Sequence, residues 1–226
     1  MQESDNPARD PSEPLANVLV VAAWEPELER FRALAGNPLP RGLVVEPVGI
    51  GPVDTAARVT RCILQHRPEL VVLLGTCGSA PGSGVGRGDV IAGTSVRLAD
   101  PSVAEGRAAM PYAESAIALD EAMQPALVAA GARPASIANT LGITTDDALA
   151  TVLAPLGGVE HLEAYGVARA CQLAEVRCAV VLGVANVVGA RGREEWRANH
   201  VAASARAADI AWDALVRTST TRRSPA

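Results

Sequence analysis

Aromatic residues make up only 3% of the 226-residue chain, too few for a surface on which successive bases stack. Basic residues are not in excess either. Lys and Arg number 20 against 25 Asp and Glu, giving a formal net charge of −5 and a pI near 5.3. That balance excludes a nucleic-acid surface built on phosphate neutralisation. No apolar run reaches the roughly 20 residues that a membrane-spanning helix needs, and no apolar segment follows a basic N-terminal stretch. The three histidines (His66, His161, His200) and four cysteines (Cys62, Cys77, Cys171, Cys178) include no C-x-x-C pair and no ligand spacing, so no metal site is expected. Cysteines scattered in apolar stretches read as reduced core residues of a cytoplasmic protein. Nucleotide fingerprints are missing as well: Gly49–Asp54 (GIGPVD) breaks G-x-G-x-x-G, and no G-K-[ST] follows any glycine loop.

What is present is a core-forming composition, 49% apolar with 20% charged residues. Residues 1–14 are polar and proline-rich and read as a disordered extension, as do residues 218–226. Residues 15–217 between them are expected to form one domain. Strands are expected at Asn17–Ala23, Leu43–Val48, Glu69–Leu74, Asp89–Ala92, Ser136–Thr144 and Cys178–Ala185. Helical spacing marks Glu25–Leu34, Pro52–Gln65, one segment within Ala113–Ala130, a long helix Gly158–Ala174 and a closing helix Trp196–Val216. Such alternation predicts a single α/β domain with a central mixed, largely parallel sheet flanked by helices.

Ligands of open α/β sheets gather beyond the carboxyl ends of strands. Four such ends carry distinctive residues: Trp24-Glu25-Pro26-Glu27, Gly49-Ile50-Gly51, Gly75-Thr76-Cys77-Gly78 and Asn186-Val187-Val188-Gly189. Their glycines admit close approach of backbone N–H groups, or simply make tight turns. Glu160 and Glu163 stand three apart near a helix start. They are either surface acids balancing the helix dipole or, for Glu163 between Leu162 and Ala164, a partly buried acceptor for a diol. His161 is expected at the surface, and Trp196 as a core anchor.

The ordered segments AAWEPEL, GIGPVDTAA, LLGTCGSAPGSGVGRGDVI, VEHLEAYGVA and GVANVVGARGREEW resemble the nucleoside phosphorylase and nucleosidase superfamily. Within it they are most similar to futalosine hydrolases, and more distantly to methylthioadenosine/S-adenosylhomocysteine nucleosidases. The resemblance implies hydrolysis of the N-ribosidic bond of a purine nucleoside: futalosine to hypoxanthine and dehypoxanthinyl futalosine, a step of menaquinone biosynthesis. It implies no cofactor, and a homo-oligomer. Glu27 matches the glutamate that activates water, and Glu163 the one that binds the ribose hydroxyls, with Leu162 beneath the sugar. Gly51, Thr76, Cys77 and Gly78 match the loops lining the ribose and base. Asn186 matches the residue that contacts the purine, where an amide N–H suits the N7/O6 edge of a 6-oxopurine; a turn cap is its plainer role. Arg191 or Arg193 would face a carboxylate on the substrate's far end, or be a surface arginine. Val71–Leu74 lacks the phosphate-holding arginine of related phosphorylases, which points to water as acceptor. Ala185 and the stretch Val181–Gly183 lack polar residues that relatives place around Asn186, which implies altered or weakened activity.

Overall fold

Val18–Ala22 is buried at every position, and its side chains alternate between two hydrophobic layers. Val18, Val20 and Ala22 point into one, Leu19 and Val21 into the other. A strand apolar on both faces needs cover on both, and that requirement organises the molecule. The computed structural model describes residues 17–111 and 116–221. In chain order the elements are β1 (Val18–Ala22), a 3₁₀ turn (Glu25–Leu28), α1 (Glu29–Ala35), β2 (Leu43–Pro47), α2 (Pro52–His66), β3 (Leu70–Ser79), β4 (Val90–Leu98) and α3 (Pro101–Ala104). They continue with β5 (Ala116–Ala118), α4 (Gln124–Ala129), β6 (Arg133–Asn139), α5 (Asp147–Leu153), β7 (Val159–His161), α6 (Ala164–Leu173), β8 (Arg177–Val187) and α7 (Gly192–Thr221).

The chain is a single-domain α/β fold with a mixed sheet. β1 runs parallel to both β2 and β3, and β3 parallel to β8. From there the ladders close on themselves. β8 pairs antiparallel with β4, β4 parallel with β6, β6 parallel with β7, and β7 antiparallel with β3. One face packs Leu28, Phe31, Met123, Leu127 and the alanines of α7; the other packs Val59, Ile63, Val167 and Cys171 from α2 and α6. Contact is close on both. A Cβ on Gly183 of β8 would lie 2.0 Å from the Ala203 carbonyl oxygen of α7, and one on Gly166 of α6 would lie 2.4 Å from the Pro52 carbonyl oxygen of α2.

Several expectations from the sequence are corrected. The long helix Gly158–Ala174 is a strand and a shorter helix, because Val159 and His161 alternate inward while the backbone pairs with β3 and β6. His161 is therefore buried rather than at the surface. Glu25–Leu34 is a 3₁₀ turn followed by α1, with a proline in its first turn. Ala113–Ala130 holds β5 as well as the six-residue α4, while residues 112–115 lie outside the described residues. β3, β4 and β8 all run further than expected, and β6 ends at Asn139. α7 continues to Thr221, so residues 218–221 of the expected tail are helical. The expected extension at 1–14, and residues 222–226 of the tail, lie outside the described residues.

Candidate active site

The two longest strands fix the site. β3 and β8 run side by side in parallel, with Cys77 opposite Val184 and Gly78 opposite Asn186 across an irregularity in the ladder. The overrun of both strands past the hydrophobic layers carries Thr76, Cys77, Gly78 and Asn186 to one rim. There a cavity of about 350 Å³ opens, lined also by Glu27, Glu160, His161, Leu162, Glu163, Trp196, Arg193 and Arg197.

Glu27 comes from the 3₁₀ turn that directly follows β1, and only 6% of it is exposed. Its Oε1 accepts from the Thr76 backbone N–H at 3.0 Å and from the Thr76 hydroxyl at 3.1 Å. Gly75 leaves room for this carboxylate, since a Cβ there would stand 3.2 Å from Oε1. Burial lifts the Glu27 pKa to about 7, opposed chiefly by the Thr76 hydroxyl and reinforced by the charge of Glu163. A carboxyl group poised there exchanges protons at neutral pH.

Glu163 stands just before α6 and is 5% exposed. Its Oε1 accepts from the Gly51 backbone N–H at 2.7 Å. Gly51 thus enters the site through its backbone, and its φ of +84° is a conformation glycine adopts at no steric cost. The backbone around Glu163 is held by two residues whose role sequence reasoning missed. His161 Nδ1 accepts from the N–H groups of Glu163 and Ala164, both at 3.1 Å. An accepting Nδ1 carries no proton, so the 3.5 Å approach to Glu163 Oε2 is not an ion pair. Burial also lowers the His161 pKa, against the pull of Glu163. Asn139, 1% exposed, donates to the Leu162 carbonyl and accepts from the Tyr165 N–H. Nothing in the sequence hinted at this, because the predicted strand ran on through Asn139 to Thr144, whereas β6 ends at Asn139.

Glu160, on β7, accepts from the Thr144 N–H at 3.1 Å and from the Thr144 hydroxyl, and burial raises its pKa. Cys77 is fully walled in, and burial pushes its thiol pKa far up, so it lines the cavity as a small apolar group.

Asn186 lies inside β8, not in the turn beyond it. One N–H of its amide donates to the Val187 carbonyl at 3.0 Å, which leaves the second for a ligand. Gly78 makes space for that amide: a Cβ would lie 2.8 Å from Asn186 Nδ2. Helix α7 holds the backbone on either side of Asn186. Asn199 donates to the Ala185 carbonyl at 3.1 Å, and the Glu195 carboxylate accepts from the Val187 N–H at 3.0 Å.

Arg191 is exposed and does not line the cavity, whereas Arg193 and Arg197 do. One helical turn separates these two on α7, and the helix starts just after Arg191. Arg30 and Arg87 do not line the cavity either; they pair with Asp209 and Glu195. Trp196 is no simple core anchor: it lines the cavity and donates from Nε1 to the Thr76 hydroxyl oxygen at 3.0 Å. Among the described residues no group of three or more His, Cys, Asp and Glu side chains is placed to hold a metal ion.

The sequence profile of the Phosphorylase superfamily matches residues 39–218. No curated protein matches the chain. Among solved structures, futalosine hydrolase of Helicobacter pylori superposes with a TM-score of 0.80 at 16% identity, covering 89% of this chain and 97% of that one. The 5′-methylthioadenosine/S-adenosylhomocysteine nucleosidase of the same organism gives 0.81 at 15% identity, covering 91% and 100%. The corresponding nucleosidase of Neisseria meningitidis gives 0.79 at 21% identity, covering 90% and 100%.

Proposed function

Because this chain belongs to the Phosphorylase superfamily, we propose that its cavity hydrolyses the N-ribosidic bond of a purine nucleoside, with futalosine the substrate and hypoxanthine the leaving base. One observation carries the reading. A buried carboxylate with a pKa of about 7, Glu27, faces the same cavity as a second buried carboxylate, Glu163, and a half-free amide, Asn186. In this reading Glu163 accepts from the ribose hydroxyls while Gly51 holds its other side. Water attacks the anomeric carbon as the bond to the base breaks, and the carboxylate of Glu27 takes the water's proton. Charge builds up on the sugar as a cation and on the base as an anion, which leaves with the electron pair of the broken bond and takes a proton from solvent while Glu27 releases the one it received. The two carboxylates stabilise the first, and the free N–H of Asn186 stabilises the second at the N7/O6 edge. No step needs a metal or an organic cofactor.

Arg193 and Arg197 support a substrate whose far end carries a carboxylate, since a guanidinium offers paired donors to such a group. A second reading, hydrolysis of an adenine nucleoside such as methylthioadenosine, draws on the equal superposition with the methylthioadenosine/S-adenosylhomocysteine nucleosidases. Against it stands Asn186, whose amide N–H matches an acceptor rather than the amino group of adenine.

Residues 15–217 form the catalytic domain in this proposal. Ile50 and Ile143, 66% and 53% exposed at the cavity rim, favour a homo-oligomer that covers them, which sedimentation at micromolar concentration checks. The activity itself is tested by chromatography of the base released from futalosine, inosine or methylthioadenosine, each with and without phosphate. Hypoxanthine from futalosine without phosphate is the expected result. Adenine from methylthioadenosine would favour the second reading, and strict dependence on phosphate would make the arginines phosphate ligands. Release from none of them, with saturable nucleoside binding, would mean a binding protein.

A further inference from the structure

Trp196 has no part in the reaction just described, yet its indole is tied to the reacting carboxylate through one intermediate atom. Nε1 lies 3.0 Å from Thr76 Oγ1, and Oγ1 lies 3.1 Å from Glu27 Oε1. The chemistry of the three groups leaves a single direction for this chain. An indole N–H only donates, a carboxylate only accepts, and a hydroxyl has one proton to give. Thr76 therefore accepts from Trp196, and its proton is directed at Glu27. We propose that Trp196 is a positioning residue of the site, which occupies the acceptor side of the Thr76 hydroxyl, fixes that hydroxyl's proton on Glu27, and so holds Glu27 as the carboxylate that receives the proton of water. The kinetic part of this inference rests on the hydrolytic reading above; the hydrogen-bond part does not.

The indole is itself held. It stacks on His200, one helical turn further along α7, with ring centres 4.3 Å apart and planes 14° apart. His200 in turn lies 6.0 Å from the ring of Trp24, the residue at which the 3₁₀ turn of Glu27 begins. The rings of His200 and Trp24 thus pack beside the indole that donates to the Thr76 hydroxyl. The Thr76 hydroxyl is also the strongest of the influences that pull the Glu27 pKa down against burial. A hydrogen bond to the charged form favours that form, and a hydroxyl that accepts from an N–H donates more strongly in turn.

The other ionisable groups around Glu27 belong to the same wall set. The β7–α6 junction brings Glu160, His161 and Glu163, β3 brings Cys77, and α7 brings Arg193, Arg197 and His200. On α1, Glu29 is exposed, and Arg30 and Arg32 are engaged with Asp209 and Glu25; Glu46 on β2 is exposed. None of these donates a hydrogen bond to Glu27, so the removal of Trp196 N–H is read at Glu27 through Thr76 alone.

The test is a titration followed by carbon NMR of protein labelled at glutamate carboxyls, with the Glu27 signal identified as the one missing from Glu27→Gln. Trp196→Phe keeps an aromatic ring against His200 and removes the N–H. It is expected to raise the Glu27 midpoint by about half a unit to one unit, and to shift the acid limb of kcat/KM upward by the same amount. In a Thr76→Val background, which removes the middle link, Trp196→Phe is expected to move the midpoint no further. The wild type provides a check without any change at Trp196: its indole N–H resonance should titrate with the Glu27 midpoint, and that titration should vanish in Glu27→Gln. An unchanged Glu27 midpoint in Trp196→Phe, an equal shift in both backgrounds, or an indole resonance that ignores Glu27 would overturn the proposal. If the wild type released no base from any nucleoside, the hydrolytic reading would fail while these titrations still decided the link.

Discussion

Glu27 combines a proposed part in the reaction with a cost to folding. Burial lifts its pKa from 4.5 to about 7. A folded-state pKa above the unfolded one means that the native chain binds the extra proton between those two values. The resulting stability is complete below pH 4.5, falls as pH rises through 7, and levels off above it. Glu27→Gln cannot ionise, and its amide oxygen can still accept from Thr76. At pH 8 it should therefore be more stable than the wild type, by about 1–3 kcal/mol, and near pH 4.5 the two should converge; urea unfolding at both pH values measures this. Equal stability at pH 8 would mean that Glu27 is not held in a desolvated site. The pH profile of the wild type follows from the same value: kcat/KM should fall below an apparent pKa near 7, as the base that receives the water proton is lost. Gly78 is the second residue to probe. A Cβ would meet Asn186 Nδ2 and a Val188 methyl carbon, both at 2.8 Å. Gly78→Ala should displace the amide and raise KM about tenfold or more, the cost of one hydrogen bond, with a far-ultraviolet spectrum like that of the wild type.

At the scale of elements, the site depends on how closely α7 lies against β8. Gly183 faces the Ala203 carbonyl with no room for a methyl group, and Ala203, Ala207, Ala208, Ala211 and Ala214 keep the facing side of the helix thin. Gly183→Ala must push the helix outward, taking with it Trp196, Glu195 and Asn199, which hold the rim. An overpacked contact against backbone should cost about 3 kcal/mol or more and lower activity together with stability, both readable from thermal unfolding and turnover. The same elements show what the sequence revealed and what it hid. The strands rich in β-branched residues, such as Val18–Ala22 and Leu70–Leu74, stood out because a run apolar on both faces has no other use. Glu27, Thr76 and Asn186 were also visible, because each sits where such a run ends, and Glu163 stood out as a carboxylate between Leu162 and Ala164. β7 was hidden: three residues are too few to show an alternation, and Val159-Glu160-His161 fits a helix as readily as a strand until its partners β3 and β6 are in place. His161 and Asn139 were lost with it, since a cap and a clamp across a junction exist only once the junction does. Trp196 was half seen. Its size suggested a core anchor, and only the folded position of Thr76 gives its N–H a purpose.

For the whole molecule, the ladders that close from β3 through β8, β4, β6 and β7 explain why residues more than a hundred positions apart reach one cavity. Glu27 enters from the first strand's end, Thr76 from the middle of the chain, Glu163 from the β7–α6 junction and Asn186 from the last strand. Glu27 and Thr76 bond to each other, Glu163 accepts from the Gly51 N–H, and the Asn186 carbonyl accepts from the Ser79 hydroxyl of β3. No helix among the described residues is long and apolar enough to cross a membrane. The net charge of −5 sets no general attraction for an anionic ligand, and Arg193 and Arg197 are the arginines that line the cavity. In the proposed reaction Glu27 directs water at the ribose of a nucleoside bound in this cavity. The most direct test of that role compares base release by the wild type and by Glu27→Gln, with nucleoside binding by each measured calorimetrically. Release is expected to fall by about 10²–10⁴-fold in the variant while the affinity for nucleoside changes only a few-fold. Turnover retained in Glu27→Gln would contradict that role.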